Sequence, residues 1–220
     1  MSTIADIVPL VSDNRIIVKY GLMVVNKTKN IGLRRLISSV DLKDQEIRSY
    51  EIGYVIAPRL NAAGRLTKPT DSFRLLVSDE DSEAEGLAAK LNEYNELRQK
   101  QLSDSVDEAL AITKKKKLYD NSIIVVTGEW NEGIVGLISG KITELYYKPS
   151  IVLTEVGEKL KGSARSISGI DISELIGKFE DDLLSFGGHK QAAGLSVAKN
   201  DARKFIAGIE KEADKIEKKY

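Results

Sequence analysis

Four short stretches of this chain gather groups that could do chemistry on an anion, and one carboxylate, Asp6, stands apart from them. Phe186-Gly187-Gly188-His189-Lys190 sets two glycines before an imidazole and an ammonium. Glycines let a backbone approach a ligand closely, and their amides can line an anion-binding nest. Gly162-Ser163-Ala164-Arg165-Ser166 places one arginine among small residues, where a guanidinium could grip a phosphate through two parallel hydrogen bonds. Arg59-Leu60-Asn61-Ala62-Ala63-Gly64-Arg65 reads as a small-residue loop with an arginine at each end, suited to a phosphodiester backbone. Glu129-Trp130-Asn131-Glu132-Gly133-Ile134-Val135-Gly136 opens a helix after a strand, and glycine-rich helix starts favour anions. It has neither the Walker lysine nor the GxGxxG spacing, so no nucleotide-binding fold follows. Asp6 is a lone carboxylate.

The first three stretches and Asp6 also have ordinary readings. These are a helix-to-strand turn with an exposed histidine, a glycine-interrupted strand with a surface arginine, a helix or turn packed on the core, and a cap or surface charge.

The elements that must position these groups are legible from periodicity. The clearest is a helix over 82–112. Leu87, Leu91, Tyr94, Arg98, Leu102, Val106 and Ala109 recur at spacings of three and four, which implies a rod of about 45 Å. Ser82 with Glu85 reads as its capping box, and Lys114 to Lys117 suit the negative end of the helix dipole. Upstream, the runs 16–18 and 21–25 could be strand or buried helix. Leu33, Leu36, Ile37 and Val40 form a helical stripe, and 54–58 reads as a short buried segment stopped by Pro58. Downstream, strands are expected at 122–127, 150–154 and 195–197, and helices at 133–147, 171–184 and from 201 to the charged end. Strand–helix–strand order predicts an α/β protein with a mixed sheet flanked by helices.

Composition narrows the chemistry. The chain has 220 residues, no cysteine and one histidine, with 33 Lys+Arg against 33 Asp+Glu. Disulfides, thiolate nucleophiles and cysteine-ligated metals are excluded, as is any motif needing two histidines from this chain. No apolar run reaches the roughly 18 residues of a membrane helix, and the N-terminus lacks a signal-peptide pattern. The expected setting is cytoplasmic, with no membrane partner. Zero net charge leaves room for a local basic groove.

Taken in order, the stretches Thr3–Leu10, Ile56–Leu66, Trp130–Gly136, Gly162–Ser166 and Phe186–His189 with Ala192–Gly194 resemble the RecJ single-stranded-DNA exonucleases of the DHH phosphoesterase superfamily. The resemblance implies the end of a DHH domain at 1–80, a long connecting helix at 81–117, and a DHHA1 substrate-binding domain at 118–220. It also implies metal-dependent 5′-to-3′ hydrolysis of single-stranded DNA in repair and recombination, with two Mn2+ or Mg2+ ions clamping the attacking and leaving oxygens. Arg59, Asn61, Arg65, Arg165, Ser166, Gly187, Gly188 and His189 then become nucleic-acid contacts, toward single-stranded DNA or RNA, and Asp6 a metal ligand. The family's aspartate-x-aspartate and Asp-His-His motifs do not occur in this sequence. The expectation is therefore a chain without nuclease activity of its own, which holds the substrate beside a missing N-terminal DHH half. Asn131 stands where the family usually has histidine; it can donate and accept hydrogen bonds but carries no charge. The competing expectations are a non-catalytic RecJ-like scaffold subunit and a DHH phosphodiesterase of oligonucleotides or cyclic dinucleotides.

Overall fold

Side-chain periodicity makes helices of the first 115 residues, with no strand among the described ones. The computed structural model of the chain describes residues 1–217, with side chains to residue 215. The last residues of the charged end, expected as helix, lie outside the described residues. After the short α1 (Ser2–Ala5) comes α2 (Ser12–Val25), which joins the two ambiguous apolar runs. No turn residue parts them, and Val18, Leu22 and Val25 recur on one face toward the core. α3 (Ile31–Ser38) is capped by Asn30, whose Oδ1 accepts from the Leu33 amide at 2.8 Å.

The segment around Pro58 differs from expectation. A π-helical turn at Glu51–Ile56 runs straight into α4 (Ala57–Leu66), and Tyr54 is exposed. Pro58 stops nothing: it falls at the junction where the π-helical turn hands over to α4. Consequently Arg59–Arg65 is helix, not loop.

α5 (Thr70–Val77) leads to α6 (Asp81–Lys115), the long helix. The expected Ser82–Glu85 capping box does not form, since both residues lie inside the helix. Ser78 takes that place: its hydroxyl accepts from the Glu80 amide at 3.3 Å and donates to the Glu83 carboxylate at 2.8 Å. Contacts divide the chain into two compact units, 1–99 and 100–220. Leu36, Ile52, Ile56, Leu75 and Leu91 are fully buried in the first unit.

The second unit carries the mixed sheet. Its strands are β1 (Ile124–Gly128), β2 (Ser150–Val156), β3 (Lys159–Arg165), β4 (Ser185–His189) and β5 (Ala192–Ala198). They lie in the order β1-β2-β3-β5-β4, parallel only between β1 and β2. α7 (Val135–Tyr146) crosses from β1 to β2 and covers one face, packing Ile134 and Ile138 on Ile124, Val126 and Val152. α8 (Ile172–Gly177) and α9 (Ala202–Glu217) cover the other face, where Phe205 and Ile209 meet Ala164, Ala193, Leu195 and Val197.

Two further differences are local. The helix expected over 171–184 stops at Gly177 and resumes only as a 3-10 turn at Glu180–Asp182, as a glycine's poor helix propensity allows. Gly187-Gly188-His189 is an edge strand rather than a loop. A Cβ on Gly188 would lie 2.3 Å from the Ala192 carbonyl oxygen, so glycine there lets β4 close on β5.

Candidate nucleic-acid interface

The pleat of the sheet sorts the predicted residues of the second unit onto one face. Side chains alternate along a strand. Ala164, Ala193, Leu195 and Val197 therefore point into the core, while Ser163 and Arg165 on β3, Ala192 and Gly194 on β5, and Gly187 and His189 on β4 share the opposite face. The register aligns them in two rows. Ser163, Gly194 and Gly187 form one, and Arg165, Ala192 and His189 form the other. α7 lies over β2 and β3; Gly187, Gly188 and His189 are exposed, as is Gly194. The result is a nearly bare backbone shelf with a guanidinium on one side and an imidazole on the other.

Arg165 is held at the wall of this shelf. Its Nη1 donates to Ser163 Oγ at 2.9 Å and to the Ala164 carbonyl at 2.8 Å. Its Nη2 lies so close to α7 that a Cβ on Gly136 would be 2.9 Å away. Glycine at 136 thus leaves room for the guanidinium beside the helix N-terminus, where unpaired amides add positive potential. The approach to α7 is fixed from both sides. Trp130 is buried, its Nε1 donates to Glu108 on α6 at 2.8 Å, and its amide donates to Thr154 Oγ1 at 2.9 Å. Asn131 Oδ1 accepts from the Gly133 amide at 2.8 Å, so this side chain shapes the entry to the helix. His189 Nδ1 accepts from the Gln191 amide at 3.3 Å, which leaves Nε2 as the ring's donor nitrogen. Ser166 is different. It is buried, and its hydroxyl donates to the Ile170 carbonyl at 2.8 Å, bracing the loop behind the shelf.

The first unit holds a separate group of cations. Arg59 is half-buried on α4; its Nε donates to Asn92 Oδ1 at 2.7 Å and its Nη1 to the Val55 carbonyl at 2.8 Å. Burial pushes its pKa down against the pull of Glu96. Arg65 sits one turn beyond exposed Asn61 on the same helix. Arg98 on α6, read from the sequence only as part of a helical stripe, joins them. Its Nη2 donates to Asn95 Oδ1 at 3.0 Å, and its buried Nε has no hydrogen-bond partner among the described residues. Burial and then the charges of Arg65 and Arg59 lower its pKa. Arg59 and Arg65 thus lie close enough to Arg98 for their like charges to be felt there. The signal that could have found Arg98 is a cation at a half-buried position of an otherwise apolar stripe.

Asp6 is exposed at the end of α1, followed by Ile7 at a φ of +52°, a conformation that β-branched residues rarely hold. No group of three or more His, Cys, Asp or Glu side chains that could hold a metal ion occurs among the described residues. Asp6 therefore does not by itself fit a two-ion centre. No helix among the described residues is long and apolar enough to cross a membrane.

Residues 120–215 match the DHHA1 domain family. The chain is 38% identical over 216 residues to the single-stranded-DNA-specific exonuclease RecJ of Bacillus subtilis (strain 168), a match covering 97% of this chain and 28% of that protein. It is 31% identical over 215 residues to RecJ of Escherichia coli (strain K12), covering 93% of this chain and 37% of that protein. In three dimensions it superposes on the crystal structure of RecJ in complex with Mn2+ from Thermus thermophilus with a TM-score of 0.87 at 32% identity, over 97% of this chain and 31% of that one. A Mg2+ complex of RecJ from the same organism matches with a TM-score of 0.83 at 31% identity, over 97% of this chain and 33% of that one. The chain thus spans about a third of the relatives it matches.

Proposed function

This chain belongs to the RecJ group of DHHA1-domain proteins, and on that premise we propose that it is the strand-holding part of a RecJ-like 5′-to-3′ exonuclease of single-stranded DNA. In this reading 1–80 is the end of a DHH domain, 81–117 the connector and 118–220 the DHHA1 domain. The observation that carries it is the shelf. Arg165 is parked beside Gly136, in register with His189 across a floor of glycine and alanine. A phosphate lying there meets a guanidinium fork, helix amides and an imidazole N–H without crossing any bulky side chain, which suits a flexible backbone of spaced charges. Arg59, Asn61, Arg65 and Arg98 would be phosphate contacts of the first unit in their own right. Gly187 and Gly188 act by their smallness, and Ser166 by keeping the shelf's loop in place.

Hydrolysis needs metal ligands that this set of residues does not complete. The RecJ relatives crystallised with Mn2+ or Mg2+ point to divalent ions for the whole enzyme, with Asp6 as one carboxylate of a centre finished by other polypeptide. Single-stranded RNA presents the same phosphates, so the shelf by itself does not select DNA. The setting is the cytoplasm, in repair and recombination. The RecJ matches favour this reading over a scaffold subunit or a phosphodiesterase of short oligonucleotides.

The test is to incubate the 220-residue chain with manganese and a labelled oligothymidine. The expected result is binding without cleavage, and cleavage once the remainder of a RecJ polypeptide is supplied. Degradation by the chain alone at an ordinary enzymatic rate contradicts the account of the metal centre. Failure to bind the strand contradicts the account of the shelf.

A further inference from the structure

The first unit holds a concave site whose charges its own lining does not balance. A pocket of about 520 Å3 lies between the end of α2, α3 and the turn that follows, lined by Lys27, Arg34, Arg35 and Lys43 against one carboxylate, Asp81. Arg35 is engaged: it pairs with Asp81 and, at 3.6 Å, with Glu85 on α6. Lys27, Arg34 and Lys43 are exposed, and no ion pair engages them among the described residues. Of the nearby acids, Glu46 is held by Arg48 at 2.7 Å, and Asp41 and Asp44 do not line the pocket.

The walls are fixed without a ligand. Asn26, just past α2, clasps Ile47. Its Nδ2 donates to the Ile47 carbonyl at 2.8 Å, and its Oδ1 accepts from the Ile47 amide at 2.8 Å. Leu42 and Ile47 are buried in the unit's core, and the Leu42 amide donates to the Ile37 carbonyl at 3.2 Å. The turn that carries Lys43 is thus pinned at both ends beside the helix that carries Arg34. Val25, Ile37 and Leu42 give the same pocket an aliphatic side.

We propose that this pocket binds a free nucleoside diphosphate, with Lys27, Arg34 and Lys43 on its phosphates and the aliphatic side against its nucleoside. Volume and charge select that class. Small-molecule sites run to about 300–1,000 Å3 and combine apolar lining with a few placed polar groups. The cations left without partners match the roughly three negative charges of a bridging and a terminal phosphate near pH 7. Inorganic phosphate would leave the aliphatic side unused. A single strand spaces its charges along a chain, whereas these cations converge on one recess. The site shares no residue with the shelf or with Arg59, Arg65 and Arg98, and it does not rest on the strand-holding reading.

The experiment titrates the whole 220-residue chain with adenosine and guanosine 5′-diphosphate, and separately with inorganic pyrophosphate, by isothermal calorimetry at low salt. The expected result is one nucleotide per chain, with pyrophosphate bound more weakly. Arg34→Gln with Lys43→Gln should weaken the nucleotide at least tenfold. Lys19→Gln with Lys116→Gln removes the same charge from exposed positions outside the pocket and should leave binding intact. Circular dichroism checks that the pocket variant is folded; if it is not, Lys27→Gln alone takes its place. Absence of saturable nucleotide binding overturns the proposal, and so does an equal loss in the two charge-removing pairs. Pyrophosphate binding as tight as that of the nucleotides overturns the role of the aliphatic side. Oligothymidine lacking a 5′-phosphate is then added to the loaded chain. Nucleotide that stays bound supports the proposal; displacement that depends on Arg34 and Lys43 gives the pocket to the strand and overturns it.

Discussion

Arg165 is positioned before any ligand arrives. Its own strand supplies two acceptors for one nitrogen, and Gly136 leaves space for the other. Arg165→Ala should weaken oligothymidine binding by about 1–3 kcal/mol, the worth of a charged hydrogen-bonding fork; fluorescence anisotropy reads this directly. Gly136→Ala probes the same contact with opposite signs for stability and function. Alanine in place of glycine inside a helix favours folding by about 1 kcal/mol at most, while its methyl displaces the guanidinium. Binding should therefore fall while the thermal midpoint holds or rises. A parallel loss of both would mean that the methyl disturbs the fold rather than the arginine. At this scale the sequence was a good guide to which arginines sit in small-residue surroundings. It missed Arg98, because a cation inside an apolar stripe looks like an interruption until its neighbours Arg59 and Arg65 are seen.

Elements set what these residues can reach. The Gly-Gly-His stretch is useful as a strand edge, since register is what aligns His189 with Arg165. That edge depends on α8 and α9 staying packed behind it. One clasp between them is Glu212, which binds Lys178 near the end of α8 and Lys215 on α9 itself. These ammonium groups, Lys178 first, pull the Glu212 pKa from 4.5 down to about 2. A depressed carboxylate pKa contributes stability that is present above the unfolded value and lost as pH falls through the folded one. Urea midpoints of the native chain and of Glu212→Gln should therefore differ at about pH 7, and the difference should shrink between pH 4.5 and about 2. Glu212 is half-buried but both lysines are exposed, so the difference is small, and high salt should reduce it further. A gap that persists unchanged at the acid end would assign Glu212 some other role.

For the whole molecule, net charge is a poor guide to partners. The 33 cations are balanced by 33 anions, yet the candidate contacts are a few arginines set in small or half-buried surroundings. Strand affinity should therefore fall with salt along a shallow log–log slope. The slope should ease by roughly 0.7 for each phosphate-contacting arginine removed, as a titration of the native chain against Arg165→Ala would read. A slope unmoved by that substitution would take Arg165 off the backbone.

By itself the sequence determined the long helix, the mixed sheet with its helices, and the order of motifs that carries the RecJ resemblance, because periodicity and local residue type are properties of the chain. It left open whether Arg59–Arg65 and Gly187–His189 were loops or parts of regular elements. Glycine and alanine tolerate either state, and only packing against α6 and pairing with β5 decided. The cationic pocket of the first unit was likewise a tertiary fact. Lys27, Arg34 and Lys43 are scattered along the chain, and only the clasp of Asn26 on Ile47 and the burial of Leu42 bring them to one recess.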